Sequence, residues 1–298
     1  MRRSSVVGLT LCLMGAWGLE GSSARPMPVG FVSSFHWQSD EPQFGGFSAI
    51  ASDTDGMGFV TLTDKGLYLS ARILRNKTGR ITRIIANPLQ RLHSKDGRPF
   101  GPYASDAEGL AIAADGTAYV SFERVSRVAR YDTLGAQSLS LPKHPAFKSM
   151  LENESLEALA IDAAGTLYTL PERPKGPAQS FPVYRFKNGV WDQPFSLPKR
   201  GLFLAVDADF GPDGRFYLLE RQFYGLSGFA SRVRRFVIGP DGPEAEETLL
   251  QSMPGQHDNL EGLSVWRDAA GSLRLTMISD DNLFFLQRTE IVEYSVPD

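Results

Sequence analysis

The sequence predicts an all-β protein, a β-propeller, on three observations: a repeated unit, a nearly constant spacing between copies, and a strand–turn–strand pattern within each. The clearest copies run from Glu108 to Arg124 and from Glu157 to Arg173. A third, from Asp207 to Arg221, is two residues shorter between its ends. A fourth opens at Glu261 and closes near Asp280-Asp281, and a degenerate one runs from Gly45 to Lys65. The leading residues lie 49 (108 to 157), 50 (157 to 207) and 54 (207 to 261) apart, with a longer first step of 63 (45 to 108). Units of about 40–50 residues suit four-stranded blades. Five blades are preferred, with six as the alternative, because the long first step leaves room for a degenerate blade around Ile73–Ile85.

Each element follows from local chemistry. Leu110–Ala113 is an apolar run of strand length, Ala114-Asp115-Gly116 is a turn, and Ala118–Phe122 is rich in β-formers. Glycine recurs at the turn (Gly116, Gly165, Gly214, Gly271), where a tight hairpin needs positive φ. Third strands follow at Arg127–Tyr131, Val183–Phe186, Arg232–Phe236 and Glu290–Tyr294, with the alternation of a half-exposed strand. Val29–Trp37 is available to close the ring against the last blade, and residues 143–153 suggest one short helix. The even spacing disfavours a sandwich, and the period is too long for a solenoid coil.

Residues 1–24 read as an export signal: Arg2-Arg3, an apolar stretch from Val6 to Leu19, then small residues at Ser22-Ser23-Ala24. Residues 25–298 form a single propeller domain, exported to the periplasm or secreted, with no transmembrane segment expected. Cys12 is the only cysteine, so the mature chain has no disulfide, thiolate metal site or cysteine nucleophile. Without the signal the chain has 29 basic and 33 acidic residues, which argues against general nucleic-acid binding. Oligomeric state is not encoded in any feature of the sequence.

Hairpin geometry places the chemistry. The start of a first strand and the end of the second meet at one edge of the sheet. Glu108 with Glu123-Arg124, Glu157 with Glu172-Arg173, Asp207 with Glu220-Arg221, and Glu261 with Asp280-Asp281 should therefore gather at one mouth of the central channel. Crowded carboxylates require cations, arginines or raised pKa values. Three readings compete. The acids could hold a hard cation such as Ca²⁺, beside His257-Asp258-Asn259-Leu260-Glu261. Alternatively, the arginines and Lys65 could bind an anionic substrate while an acid or His257 transfers a proton. Or Glu–Arg pairs lock neighbouring blades and do nothing else. No serine-hydrolase elbow, paired-histidine zinc pattern, phosphate loop or EF-hand is present. The aromatic segment from Gln222 to Ser231 reads as a loop over a blade edge whose rings either pack on the next blade or stand exposed to contact a ligand, and Arg232, Arg234 and Arg235 form the strongest local basic cluster.

Several segments carry a resemblance: Phe44-Gly-Gly-Phe-Ser48, Asp106-Ala-Glu-Gly-Leu110, Val120-Ser-Phe-Glu-Arg124, Glu154-Ser-Leu-Glu-Ala158, Gly228-Phe-Ala-Ser-Arg-Val233, Asp258-Asn-Leu-Glu-Gly-Leu263 and Ile278-Ser-Asp-Asp-Asn282. Together they resemble the phytase-like family ("esterase-like activity of phytase"). The resemblance implies an exported bacterial β-propeller and hydrolysis of esters or phosphoesters. A complete phytase calcium site is not matched residue by residue. The expected function is a metal-dependent hydrolase of phosphate or carboxylic esters acting on a small anionic or ester ligand. Glu108, Glu157, Glu261 and Asp280 are the expected Ca²⁺ ligands, His257 and Asp258 the proton-transfer groups, and Arg124, Arg173, Arg221 and Lys65 the anion holders. The competing expectation is a non-catalytic binding or scaffold propeller of the cell envelope.

Overall fold

Each repeat folds into an antiparallel sheet, and five sheets form a ring in the computed structural model, which describes residues 26–150, 154–174 and 180–298. Strand β1 (Phe31–His36) comes first. Blade 1 contains β2 (Phe47–Ser52), β3 (Gly58–Thr63), β4 (Leu67–Arg75) and β5 (Ile81–Ala86), with the short β6 (Gln90–Arg91) also on β4. Blade 2 contains β7 (Ala107–Ile112), β8 (Ala118–Phe122), β9 (Arg127–Tyr131) and β10 (Leu139–Ser140). Blade 3 contains β11 (Leu156–Ile161), β12 (Leu167–Pro171), β13 (Ser180–Lys187) and β14 (Val190–Pro198). Blade 4 contains β15 (Leu204–Phe210), β16 (Phe216–Phe223), β17 (Phe229–Gly239) and β18 (Gly242–Gln251). Blade 5 contains β19 (Asn259–Arg267), β20 (Leu273–Asp280) and β21 (Glu290–Val296), completed by β1.

The N-terminal strand closes the ring as expected: Phe31 pairs with Tyr294 and Phe35 with Ile291. The alternative of six blades is excluded, because Ile73–Ile85 lies in β4 and β5, the outer hairpin of blade 1. The expected helix is a 3₁₀ turn over Pro145–Ser149, while residues 151–153 lie outside the described residues. The expected export signal and Cys12 also lie outside them.

The first hairpin of blades 2 to 5 is built alike. Gly116, Gly165, Gly214 and Gly271 have φ from 74° to 86°, a region that only glycine enters at little cost. An aspartate fastens each turn: Asp115, Asp162, Asp213 and Asp268 each accept a backbone N–H two residues downstream. Apolar side chains then pack between adjacent blades, as Leu219 and Val233 do with Leu263, Leu275 and Tyr294. Innermost strands approach so closely that a Cβ on Gly109 would lie 2.6 Å from the Glu157 carbonyl oxygen.

Charged locks supplement the apolar seams. Arg75 of blade 1 grips Glu293 of blade 5, with one guanidinium nitrogen 2.6 Å from its carboxylate. Arg232, Arg234 and Arg235, the basic cluster read from the sequence, are all buried. Arg232 and Arg234 both clamp the fully buried Glu220 at 2.8 Å. Removing one partner from a buried ionic group leaves charge unpaired. Arg234→Ala is therefore expected to cost about 3 kcal/mol of stability. Urea denaturation reads this, and an unchanged midpoint would refute it.

Candidate functional site

A bulge near the start of every innermost strand organises the mouth. There the register skips Ser48 in blade 1, Glu108 with Gly109 in blade 2, Glu157 in blade 3, Val206 in blade 4 and Glu261 in blade 5. Bulges re-aim side chains that a regular strand would alternate. A second tier comes from the end of each second strand, opposite the residue two before the bulge. It consists of Asp64, Glu123, Glu172, Arg221 and Asp280. The next residues, Lys65, Arg124, Arg173, Gln222 and Asp281, follow directly on this tier.

This register corrects the alignment of the third copy, which forms blade 4. Val206, not Asp207, stands at the position of Glu108, Glu157 and Glu261. Asp207 instead accepts the Leu263 backbone N–H at 2.7 Å, and Asp209 accepts that of Val265 at 2.7 Å, which ties β15 to β19. Burial raises both carboxyls, Asp209 to about 7. Glu220 pairs with Ala205, one residue out of step, so Arg221 occupies the place that Glu123 and Glu172 fill elsewhere. Four carboxylates and one guanidinium therefore make the second tier.

The mouth is crowded with negative groups. Oxygens of Asp106, Glu108 and Glu123 lie within 4.8 Å of one another. Glu108 is 8% exposed, and its charged neighbours are Glu261, Asp106, Glu123 and Asp64. No hydrogen-bond donor reaches its carboxylate among the described residues. Burial, followed by these like charges, holds its pKa well above the usual carboxylate range. Glu157 is raised by the same two causes, and it shares a hydrogen bond with Glu123 that requires a proton on one of them. Burial pushes Glu123 up to about 7, Asp64 to about 6 and Asp280 to about 8. One oxygen of Asp64 is buried without a partner.

Arg221 is the cation inside this group. It reaches Asn259 Oδ1 at 2.7 Å and Glu172 at 3.3 Å, and it is paired with Glu261. These partners belong to blades 3 and 5, so Arg221 of blade 4 links three blades. The other expected anion holders lie differently. Arg124 is half exposed and bonded to Asp106 at 2.9 Å, Arg173 lies 3.4 Å from Glu154 and 3.5 Å from Glu172, and Lys65 is exposed beside Asp64. Of the four expected metal ligands, Glu108, Glu157 and Asp280 each feel the charge of Glu261, but Glu108 is the one that belongs to the trio of closely spaced carboxylates. Asp106 was not among the expected site residues, and it joins them from the connection into blade 2.

His257 and Asp258 are held elsewhere. His257 is 3% exposed, with Nε2 2.6 Å from the Tyr294 hydroxyl and Nδ1 3.7 Å from Glu290. Burial lowers its pKa, and its charged neighbours are Glu290 and Arg288 rather than mouth carboxylates. Asp258 accepts the Arg288 backbone N–H at 2.9 Å and the Gln287 side-chain amide at 3.0 Å, fastening the 281–290 loop. That loop exposes Leu283, Phe284, Phe285 and Leu286. In the 222–231 segment Phe223 is 64% and Tyr224 42% exposed, so of the two expectations for its aromatics the exposed one holds for these rings. Phe223 stacks with Phe229, whose ring lies 5.9 Å from the Arg221 guanidinium, so the apolar rim begins beside the mouth.

The fold resembles that of solved propellers at low identity. The PQQ-bound aldose sugar dehydrogenase of Streptomyces coelicolor matches with 11% identity and a TM-score of 0.46, over 91% of this chain and 100% of that one. A streptogramin B lyase matches with 12% identity and a TM-score of 0.42, over 89% and 72%. Ligands and reactions do not transfer at this level of likeness. No curated protein matches the sequence. The family model described as "Esterase-like activity of phytase" matches residues 42–283, from just before the first blade into the last, and the chain belongs to this phytase-like family.

Proposed function

We propose that the mouth binds a divalent cation, with Ca²⁺ the best fit, and that the protein hydrolyses phosphate or carboxylic esters there. One observation carries this reading: Glu108 is buried among carboxylates with no hydrogen-bond donor. Desolvating such a group is costly unless a proton or a cation neutralises it. The donors fit a hard ion. Asp106, Glu108 and Glu123 offer only carboxylate oxygen, and their 4.8 Å limit suits ligands around an ion at roughly 2.4 Å.

Within that reading, Asp106, Glu108 and Glu123 hold the cation, with Glu157 beside them. A bound divalent cation would supply Lewis-acid polarisation of the ester oxygen. The Glu123–Glu157 pair suits proton transfer better than His257 or Asp258, since it already shares a hydrogen bond and Glu123 titrates near 7. Phe223 and the 283–286 segment offer apolar surface for the carbon part of an ester. Export to the periplasm or medium belongs to the same proposal, carried by the basic and apolar character of residues 2–19. Among the described residues no helix is long and apolar enough to cross a membrane.

A binding propeller without catalysis is the second reading, favoured by the low exposure of Glu108, Glu123, Glu157, Glu172 and Asp280. Purified protein assayed on aryl phosphates and aryl esters, with Ca²⁺ and with chelator, separates the two. Calcium-dependent turnover is expected. No turnover with a calcium-induced rise in melting temperature would leave the binding propeller, and no response of either kind would refute both uses of the cation.

A further inference from the structure

Arg221 is the one basic side chain in a tier where the other blades present Asp64, Glu123, Glu172 and Asp280. We infer that Arg221 is a tethered cation filling a second cation site, formed by Glu172, Glu261 and Asn259, and that it confines exchangeable Ca²⁺ to the Asp106–Glu108–Glu123 side. This rests on the calcium reading above and adds to it the number and placement of ions.

Two independent features support the assignment. The first is occupancy, since the guanidinium contacts oxygens from all three of these residues. Asn259 also turns its amide nitrogen toward Glu261 at 2.7 Å, so Glu261 is compensated from two directions. The second is asymmetry. Glu261 has the Arg221 guanidinium and the Asn259 amide on its carboxylate, whereas the nearest charged groups to Glu108 are the carboxylates of Glu261, Asp106, Glu123 and Asp64. One half of the mouth therefore encloses a buried guanidinium, whereas on the other half the half-exposed Arg124 pairs with Asp106 from the rim. A guanidinium is planar, permanently charged and able to bond several oxygens, which suits it to replace an ion. Being covalently fixed, it also holds blades 3, 4 and 5 together whether or not free cation is present.

Calcium stoichiometry tests this by equilibrium dialysis, with chelated protein as the blank and circular dichroism to verify folding. Wild type is expected to bind one Ca²⁺ per chain, and Arg221→Gln two. Arg221→Gln should also melt lower than wild type in chelator and gain more from calcium. Glu261→Gln should still bind one, because Glu261 serves Arg221 and not the exchangeable ion. If folded Arg221→Gln binds one ion, the tethered-cation inference fails while the calcium reading stands. If wild type binds none, the calcium reading itself fails. Should Arg221→Gln not fold in either condition, Glu261→Gln decides: loss of its single ion would overturn the assignment, and retention would uphold it.

Discussion

Glu108→Gln is expected to raise the melting temperature in chelator and to abolish the further rise that calcium gives the wild type. Both effects share one cause. Without cation, Glu108 is a desolvated carboxyl crowded by four others, and an amide of the same shape relieves that repulsion. With cation, the same substitution removes a charged ligand oxygen, and calcium affinity should fall about 100-fold or more. Ester turnover, if calcium-dependent, should fall with it. Thermal melts of the two proteins in chelator and in calcium read the crossover directly. A variant that calcium stabilises as much as wild type would remove Glu108 from the cation site. A variant less stable than wild type in chelator would show that its carboxylate has a stabilising partner.

The second large effect is an inverted dependence of stability on pH. Asp64, Glu123 and Asp280 are raised to about 6, 7 and 8 by burial and by the charge of nearby carboxylates such as Asp106 and Glu261. A carboxyl whose pKa is higher folded than unfolded binds its proton more tightly in the folded state. Its contribution is full below the unfolded value near 4 and is lost as pH rises through the folded value. Calcium-free protein should therefore lose stability between about pH 4 and pH 8, on the order of 3–5 kcal/mol once coupling among the groups is allowed for. Calcium should reverse the trend, because its ligands must be deprotonated to bind. Denaturant midpoints at pH 5.5 and pH 8, with and without calcium, test both parts. A calcium-free protein more stable at pH 8 would contradict the account.

The fold was largely legible in the sequence because its signals are local. Asp115-Gly116 and its counterparts mark tight turns, and each turn fixes an antiparallel hairpin whatever surrounds it. Glu108, Glu157 and Glu261 could be placed at one edge for the same reason. The third copy was misaligned because its acids were matched to acids. Counting back from Gly214, as from Gly116 and Gly165, leads to Val206 and puts Arg221 in the second tier. Asp106 carried a weaker signal: it lies two residues before the bulge, where Asn259 lies in blade 5. His257 next to Asp258 suggested chemistry by adjacency, but neighbours in an extended chain point to opposite sides. One meets Tyr294 and the other holds the 281–290 loop.

The sequence by itself determined the repeating hairpins, a propeller of five or six blades with an N-terminal run available to close it, and the acids at the ends of the strands. These depend on periodicity and turn chemistry, which act over a few residues. Only the tertiary structure decided which charges meet. Glu108 comes among four other carboxylates, Glu123 comes beside Glu157, and Arg221 is enclosed by groups from two other blades. Those pairings depend on bulge register and on the approach of innermost strands far apart in the chain, and a shift of one residue turns a side chain to the other face of its sheet.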